Sequence, residues 1–589
     1  MLGWAAVLAA CAGLAACASA TLEAPGAVAA NDPCTLKQNP DPTRVYRIPQ
    51  LGATAGAHAC NVASRTLAVR GEGQFRAVYG PGAPAESMLP SQAIDPVIDL
   101  LKTRAAALGE GQPLKILIFV HGGLVDHKRA VTAAEELTPG MRADGYEPVF
   151  LTWDSDMASS YGERLCCVRN GQRFIGDKSL FIPARLAGDL GASLARAPEN
   201  YAQEWLRYKD STISPQGTKY ELRNEDKGQL CKVLGQAGDA CLNLTYPPFD
   251  DGLLNRLGGK LRAETIEHDA FFPVRVVGVA ALPEVGTEAW DNMIRRTRLA
   301  LEYATSGPQR AGSAELAASC ESLTRQADED VRANLKPDGS VRDRDRFRPI
   351  ASGGFALFFE RLNCEINEGG FVRIGAKGEV EPVAVQLYFY GHSMGALVGD
   401  EIVWRYPDLP WKRIVYMAAA SSIRDFRTQV VPVLDCSVTA GRAPTIPCQG
   451  DVQFYSLMLH PLAEARELEI GGLPPQGSLL VWIDEMFGGP RTTDDRTFGR
   501  WFNIEQTIQL FPPQVRARMH FRVFPSQDDL KDGAPAEQAA FYRTCSPGPG
   551  QAFAKGQGTA GVDGSNRCHP TKHGEFADYS FWRDGFLGE

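Results

Sequence analysis

The stretch VQLYFYGHSMGALVGDEIVWRYP, residues 385–407, decides how this chain is read. An uncharged run, Val385 to Tyr390, leads straight into Gly391-His392-Ser393-Met394-Gly395, and apolar residues at helical spacing follow. Such a run suits a parallel strand covered on both faces, and the spacing after it suits a helix. A strand that becomes a helix across so few residues must bend sharply. Gly391 and Gly395 remove the Cβ atoms that would clash in that bend. The expected outcome is a serine hydroxyl at the C-terminal edge of a sheet, above the N-terminus of a helix. The helix dipole and the N–H of Met394 then face any anion that forms there. A bare G-x-S-x-G arises often by chance, whereas one set between strand and helix is far more specific. Ser393 is therefore the candidate nucleophile.

A second sign lies upstream. LKILIFVHGG, residues 114–123, contains the apolar run Ile116 to Val120 and then His121-Gly122-Gly123-Leu124. A helical segment spans about Lys128 to Asp144, ended by Gly145, and EPVFLTWDS, residues 147–155, reads as the next strand. Strand, helix and strand in so short a span form a βαβ unit with a parallel sheet. In acyl transfer the tetrahedral intermediate carries negative charge on oxygen, which backbone N–H groups must meet. Glycines let the backbone approach that closely. Gly123 is the first choice for the donor that partners Met394, with Leu124 as the alternative. His121 is expected to brace this loop.

FVHGGL after one strand and GHSMGA after a later one resemble the α/β-hydrolase superfamily, of the serine esterase and lipase kind. The resemblance covers about residues 112–155 and 383–425, and more weakly the C-terminus. It implies an α/β fold: a mostly parallel central sheet with helices on both faces and a large inserted cap or lid. It also implies the chain order serine, acid, histidine, with the histidine on a loop after the last strand. His460, His520, His569 and His573 follow Ser393. His573, in RCHPTKHGEFADYSFW, lies at the expected place and precedes Gly574. His569 reads as part of the loop's anchor, His520 as packed within a strand and His460 as structural. For the acid, Glu464 in HPLAEARE is nearest the implied position, with Asp528 and Asp425 as alternatives. The easy acid-loop pattern D-x-x-V/I-P is missing after the strand. Ser393, His573 and a carboxylate would cleave a carboxylic ester through an acyl-enzyme, with no cofactor and no metal. The same groups would serve a thioesterase or amidase. The fold without a usable acid would be a binding or scaffolding module.

The length, 589 residues, is enough for a large core. Residues 1–20 read as a signal peptide, 21–110 as a lead segment and 111–160 as the first part of the core. Residues 161–380 read as an inserted cap or lid, and 381–589 as the second part of the core. In the insert, EAWDNMIRRTRLALEYA is helical, and Trp290, Phe355, Phe358 and Phe359 are candidates for an acyl pocket or for core packing. KRIVYMAAA, VQFYSLML and RMHFRVFP read as further strands, and GSLLVWIDEMF as a helix.

The net charge of −9 and the lack of a strongly basic stretch argue against nucleic-acid binding. MLGWAAVLAACAGLAACASA is apolar, free of acidic residues and too short to span a bilayer, which is the pattern of an export signal. Leu14-Ala15-Ala16-Cys17 matches a lipobox, which would leave a lipid anchor on Cys17. Ala18-Ser19-Ala20 matches an ordinary cleavage site. The expectation is an exported protein, periplasmic or lipid-anchored, that meets a membrane only through that anchor. Its partner would be a small-molecule or lipid ester. Of 14 cysteines, Cys34 with Cys60, Cys231 with Cys241, Cys436 with Cys448 and Cys545 with Cys568 fall in local pairs suited to disulfides. The vicinal pair Cys166-Cys167 is not expected to bond to itself.

Overall fold

Eight segments rich in apolar, β-branched and aromatic residues form one sheet. They are β1 (Thr66–Val69), β2 (Leu114–Val120), β3 (Glu147–Trp153), β4 (Asn243–Thr245), β5 (Val385–His392), β6 (Trp411–Met417), β7 (Gln453–Leu459) and β8 (Met519–Phe524). The structure is a computed structural model that describes residues 61–79, 88–169, 172–173, 182–213, 243–245, 283–302, 320–333, 353–435, 452–459, 463–464, 467, 477–524, 570, 572–583 and 587. The strand order across the sheet is β1-β3-β2-β5-β6-β7-β8-β4, and every pairing is parallel. Nearly every residue of β2, β3, β6 and β7 is buried, as a parallel sheet covered on both faces requires. The fold class is therefore α/β.

The helices that cover the sheet include α1 (Pro90–Ala106), α2 (His127–Ala143), α3 (Met157–Cys166), α4 (Ile182–Ile213), α5 (Pro283–Ala300), α6 (Glu321–Ala333), α7 (Gly354–Asn367) and α8 (Gly395–Arg405). Asp126 caps α2 by accepting from the Arg129 N–H at 2.8 Å, and Asp156 caps α3 through Ser159 at 2.7 Å. The GSLLVWIDEMF segment is helical as its apolar face requires, beginning at Leu479 behind the Ser478 cap and widening into a π-turn over Ile483–Phe487. Among the described residues, no helix is long and apolar enough to cross a membrane.

Two further parts of the chain contribute to the sheet and its core. In the lead segment, β1 joins the sheet and α1 buries Ile94, Val97, Ile98 and Leu101 in the core. The insert is not a body apart: α5 and α7 pack into the same core, and β4 extends the sheet beside β8. Trp290, Phe355, Phe358 and Phe359 are core residues of those two helices. Disulfides join Cys320 to Cys364, ahead of α6 and within α7, and also the vicinal Cys166 and Cys167, contrary to expectation. The four pairs foreseen from spacing, the N-terminal signal and Cys17 lie outside the described residues.

One buried acid lies on the helix that follows the sharp turn. Asp400 of α8 is almost wholly buried, and burial raises its carboxyl well above the ordinary value. Its Oδ1 accepts from the Tyr416 hydroxyl at 2.7 Å. Its Oδ2 lies toward the Ser421 hydroxyl without a well-formed hydrogen bond, and neither atom has another partner among the described residues. The folded chain thus keeps a proton that the unfolded chain releases above 3.8, so the stability contributed here declines as pH rises past that value. An amide in its place keeps the Tyr416 contact and supplies an N–H for Ser421. Asp400→Asn is expected to raise the unfolding free energy by about 1–3 kcal/mol at pH 8. The gain should shrink toward nothing as the pH approaches 4. Urea melts at the two pH values check this, and a destabilised variant at pH 8 would refute the protonation argument.

Candidate active site

The strand order reverses between β2 and β5, since from β2 the chain steps to β3 on one side and from β5 to β6, β7 and β8 on the other. Loops that leave such a reversal part company and open a crevice at the carboxyl ends of the strands. The register brings those ends level, with Val120 opposite Gly391 and Met417 opposite His392. The glycine loop after β2 and the serine turn after β5 therefore share one edge.

Ser393 has φ 51°, a left-handed backbone that a serine adopts only under constraint. The constraint is visible. Its N–H donates to Met417 O at 2.8 Å, and its carbonyl accepts from Ala396 N–H at 3.1 Å and Ala420 N–H at 2.9 Å. A Cβ on Gly391 would stand 2.9 Å from the carbonyl of Gly395, and one on Gly395 would stand 2.5 Å from Val120 O. Both glycines are thus steric requirements of the turn. Met394 opens α8 behind the serine.

The Nε2 of His573 lies 2.8 Å from Ser393 Oγ. The histidine begins a short 3-10 turn, His573–Asp578, anchored by buried Phe576, Tyr579, Phe581 and Trp582. Burial first, then the neighbouring His392, hold its imidazole well below the ordinary pKa, so it is neutral at pH 7 and able to accept a proton. His392 itself is pushed down to about 4 by burial. Its Nε2 donates to the His573 carbonyl oxygen at 2.9 Å.

Among the described residues, no carboxylate meets the other ring nitrogen, and His573 Nδ1 has no hydrogen-bond partner. Glu464 is not the acid partner here: its carboxylate lies 3.2 Å from Arg500 Nε, and Arg500 also reaches Asp484 at 2.7 Å. Asp425 folds back on Ser422, accepting from its hydroxyl at 2.8 Å. Asp528 lies outside the described residues, as do His460 and His569. His520 is in β8, stacked on Tyr455 and 2.9 Å from Gln453. The carboxylate that does reach the histidine is Glu467, whose two oxygens accept from the His573 backbone N–H at 2.8 and 2.9 Å. It stands three residues beyond Glu464 in HPLAEARELE, where no local pattern marks it.

On the far side of Ser393, a Cβ on Gly122 would stand 3.0 Å from the serine Cβ. Leu124 is excluded as an anion donor because its N–H donates to Ser155 O at 3.1 Å. Gly123 abuts Met394, since a Cβ on it would stand 3.5 Å from the Met394 Cβ. His121 braces the loop: its Nδ1 donates to Gly122 O at 2.7 Å, its Nε2 accepts from the Trp153 N–H at 3.2 Å, and its ring stacks on Trp153. Both nitrogens are thereby occupied, and burial holds its pKa down to about 4.

A roof completes the site. Met293 of α5 projects its methyl against Gly123, and the same helix presses Gly286 onto Phe487. Ser393 is only 1% exposed beneath it. Helix α5 is held from behind by ion pairs of Glu163 with Arg295 and Arg296. No protein-family profile matches this chain, and no curated protein or solved structure matches it.

Proposed function

We propose that this chain is a serine hydrolase of the α/β-hydrolase type that cleaves carboxylic esters through an acyl-enzyme. The observation that carries the reading is the 2.8 Å contact between Ser393 Oγ and a buried, neutral His573 at a left-handed turn on the sheet edge. In this reading His573 takes the serine proton as Oγ attacks the carbonyl carbon, forming the C–O bond and placing the charge on the carbonyl oxygen. The N–H groups of Gly123 and Met394 meet that charge. Collapse expels the alcohol, which receives the proton from His573, and water attacks the acyl-enzyme by the same route. No step draws on a cofactor. The apolar side chain of Met293 against Gly123 favours an apolar acyl group, such as that of a lipid ester. Placement outside the cytoplasm, with an anchor at Cys17, belongs to the same proposal and rests on the N-terminal sequence.

The burial of Ser393 favours a second reading, a closed binding module with no turnover. One experiment separates them. A fluorophosphonate probe is expected to label the wild type and not Ser393→Ala, with labelling several-fold faster in detergent micelles. Wild-type protein that stays unlabelled with and without detergent would sink the hydrolase reading.

A further inference from the structure

We infer that His573 is oriented through its own backbone, by a carboxylate on its N–H and an imidazole on its carbonyl, rather than by an acid on its ring. The inference rests on the reading of Ser393 as nucleophile and departs from the ring-bound acid that the sequence resemblance implies.

Three side chains define the argument. Glu467, from the segment after β7, grips the His573 N–H with both oxygens at 2.8 and 2.9 Å. His392, the last residue of β5, grips the His573 carbonyl at 2.9 Å. Ser393 holds the ring at Nε2. Fixing the N–H and the C=O of one residue fixes the peptide planes on both sides of its Cα, and so the direction of its Cα–Cβ bond. Only χ1 and χ2 then remain to place the ring, and burial among packed neighbours restricts both. An imidazole aimed this way needs no partner at Nδ1, the atom that has none among the described residues. His392 precedes Ser393, so a single peptide unit couples the nucleophile to the group that holds its base. The His392 ring packs close over Gly122, where an added Cβ would stand 2.8 Å from its Nδ1.

Glu467 and His392 are thus positioning residues. Glu467→Gln keeps a carbonyl oxygen for the His573 N–H but loses the charge, whereas Glu467→Leu loses both. His392→Phe fills the same space without the donor. Fluorophosphonate capture by full-length protein, read as kinact and KI, is expected to be about threefold slower in kinact for E467Q. For E467L and H392F the loss should be about 30- to 100-fold, again in kinact with KI unchanged, the scale of a misplaced reacting group. Thermal melts establish that each variant is folded, and amide hydrogen exchange over residues 572–579 should quicken in E467L and H392F but not in E467Q. E467Q falling as far as E467L, by a factor of about a thousand or more, would mean the charge acts at the ring and would overturn the inference. So would E467L and H392F capture within threefold of the wild type. If the wild type is not labelled at all, the hydrolase reading fails first. Unchanged exchange in E467L would then show that the backbone grip is absent as well.

Discussion

His573→Ala is expected to slow capture of Ser393 by a fluorophosphonate by about 10⁵-fold, within the range known for removing one member of a serine–histidine unit. A serine hydroxyl is a weak nucleophile at neutral pH unless a base takes its proton as it attacks. At 2.8 Å from Oγ, His573 Nε2 is the group placed to do so. Its burial keeps it unprotonated at pH 7, so the proton acceptor is ready without prior ionisation. No described neighbour can substitute. The Nε2 of His392 donates to a carbonyl, and both nitrogens of His121 are bound. What survives in the variant should be the contribution of the anion-binding N–H groups and of substrate binding alone. Stopped-flow capture checks the figure, with His573→Gln as a companion that refills part of the space. A loss under tenfold would mean that another base serves Ser393, and the assignment of His573 would fall.

Much of the fold could be read because its signals are local. Uninterrupted apolar runs such as Ile116 to Val120 and Leu387 to Tyr390 leave no face for water and so mark covered parallel strands. The turn at Ser393 is equally local, as two glycines and a serine between strand and helix permit few geometries. Where reading failed, the deciding contacts were distant in sequence. β1 is four residues long and becomes a strand only because β3 offers its free edge from 84 residues away. Nothing in the composition of α5 or α7 tells whether their aromatic faces meet each other in a separate cap or meet the main sheet. That depends on which surface is nearest after folding, and here it is the core shared with Trp153 and Phe355.

The same distinction divides the site. Ser393, His573 and the glycine loop could be found because each carries a residue type its chemistry demands next to a strand end. The carboxylate could not. Glu464 and Glu467 are three residues apart, and only the placement of Arg500, far along the chain, decides that Glu464 serves an ion pair with it. A buried carboxylate beside a guanidinium is strongly held there, since moving it would strand two charges away from water. Glu467 is the one at the histidine, its carboxylate accepting from the His573 backbone N–H. Leu124 was set aside for a similar reason, through a hydrogen bond to Ser155 that no local pattern announces.

Gly395→Ala should be strongly damaging, costing about 3 kcal/mol, the upper end of what overpacking usually costs. The added Cβ would meet Val120 O at 2.5 Å and His121 O at 2.9 Å, and both are backbone atoms. β2 cannot yield, because it is held between β3 and β5 along its whole length. Helix α8 must therefore lift at its N-terminus and carry Met394 and Ser393 with it, or the loop of Gly122 and Gly123 must retreat. Either motion parts the two N–H groups proposed to meet the anion, so activity should fall further than stability alone explains. Gly162 on α3 provides the contrast, since a Cβ there meets nothing within 4 Å. Gly162→Ala should be neutral or stabilising by up to about 1 kcal/mol, as alanine favours a helix over glycine. Urea melts of the two variants, paired with their capture rates, test the argument. A Gly395→Ala protein as stable and as reactive as the wild type would show that the turn at Ser393 is not closed as tightly as the contacts of Gly395 require.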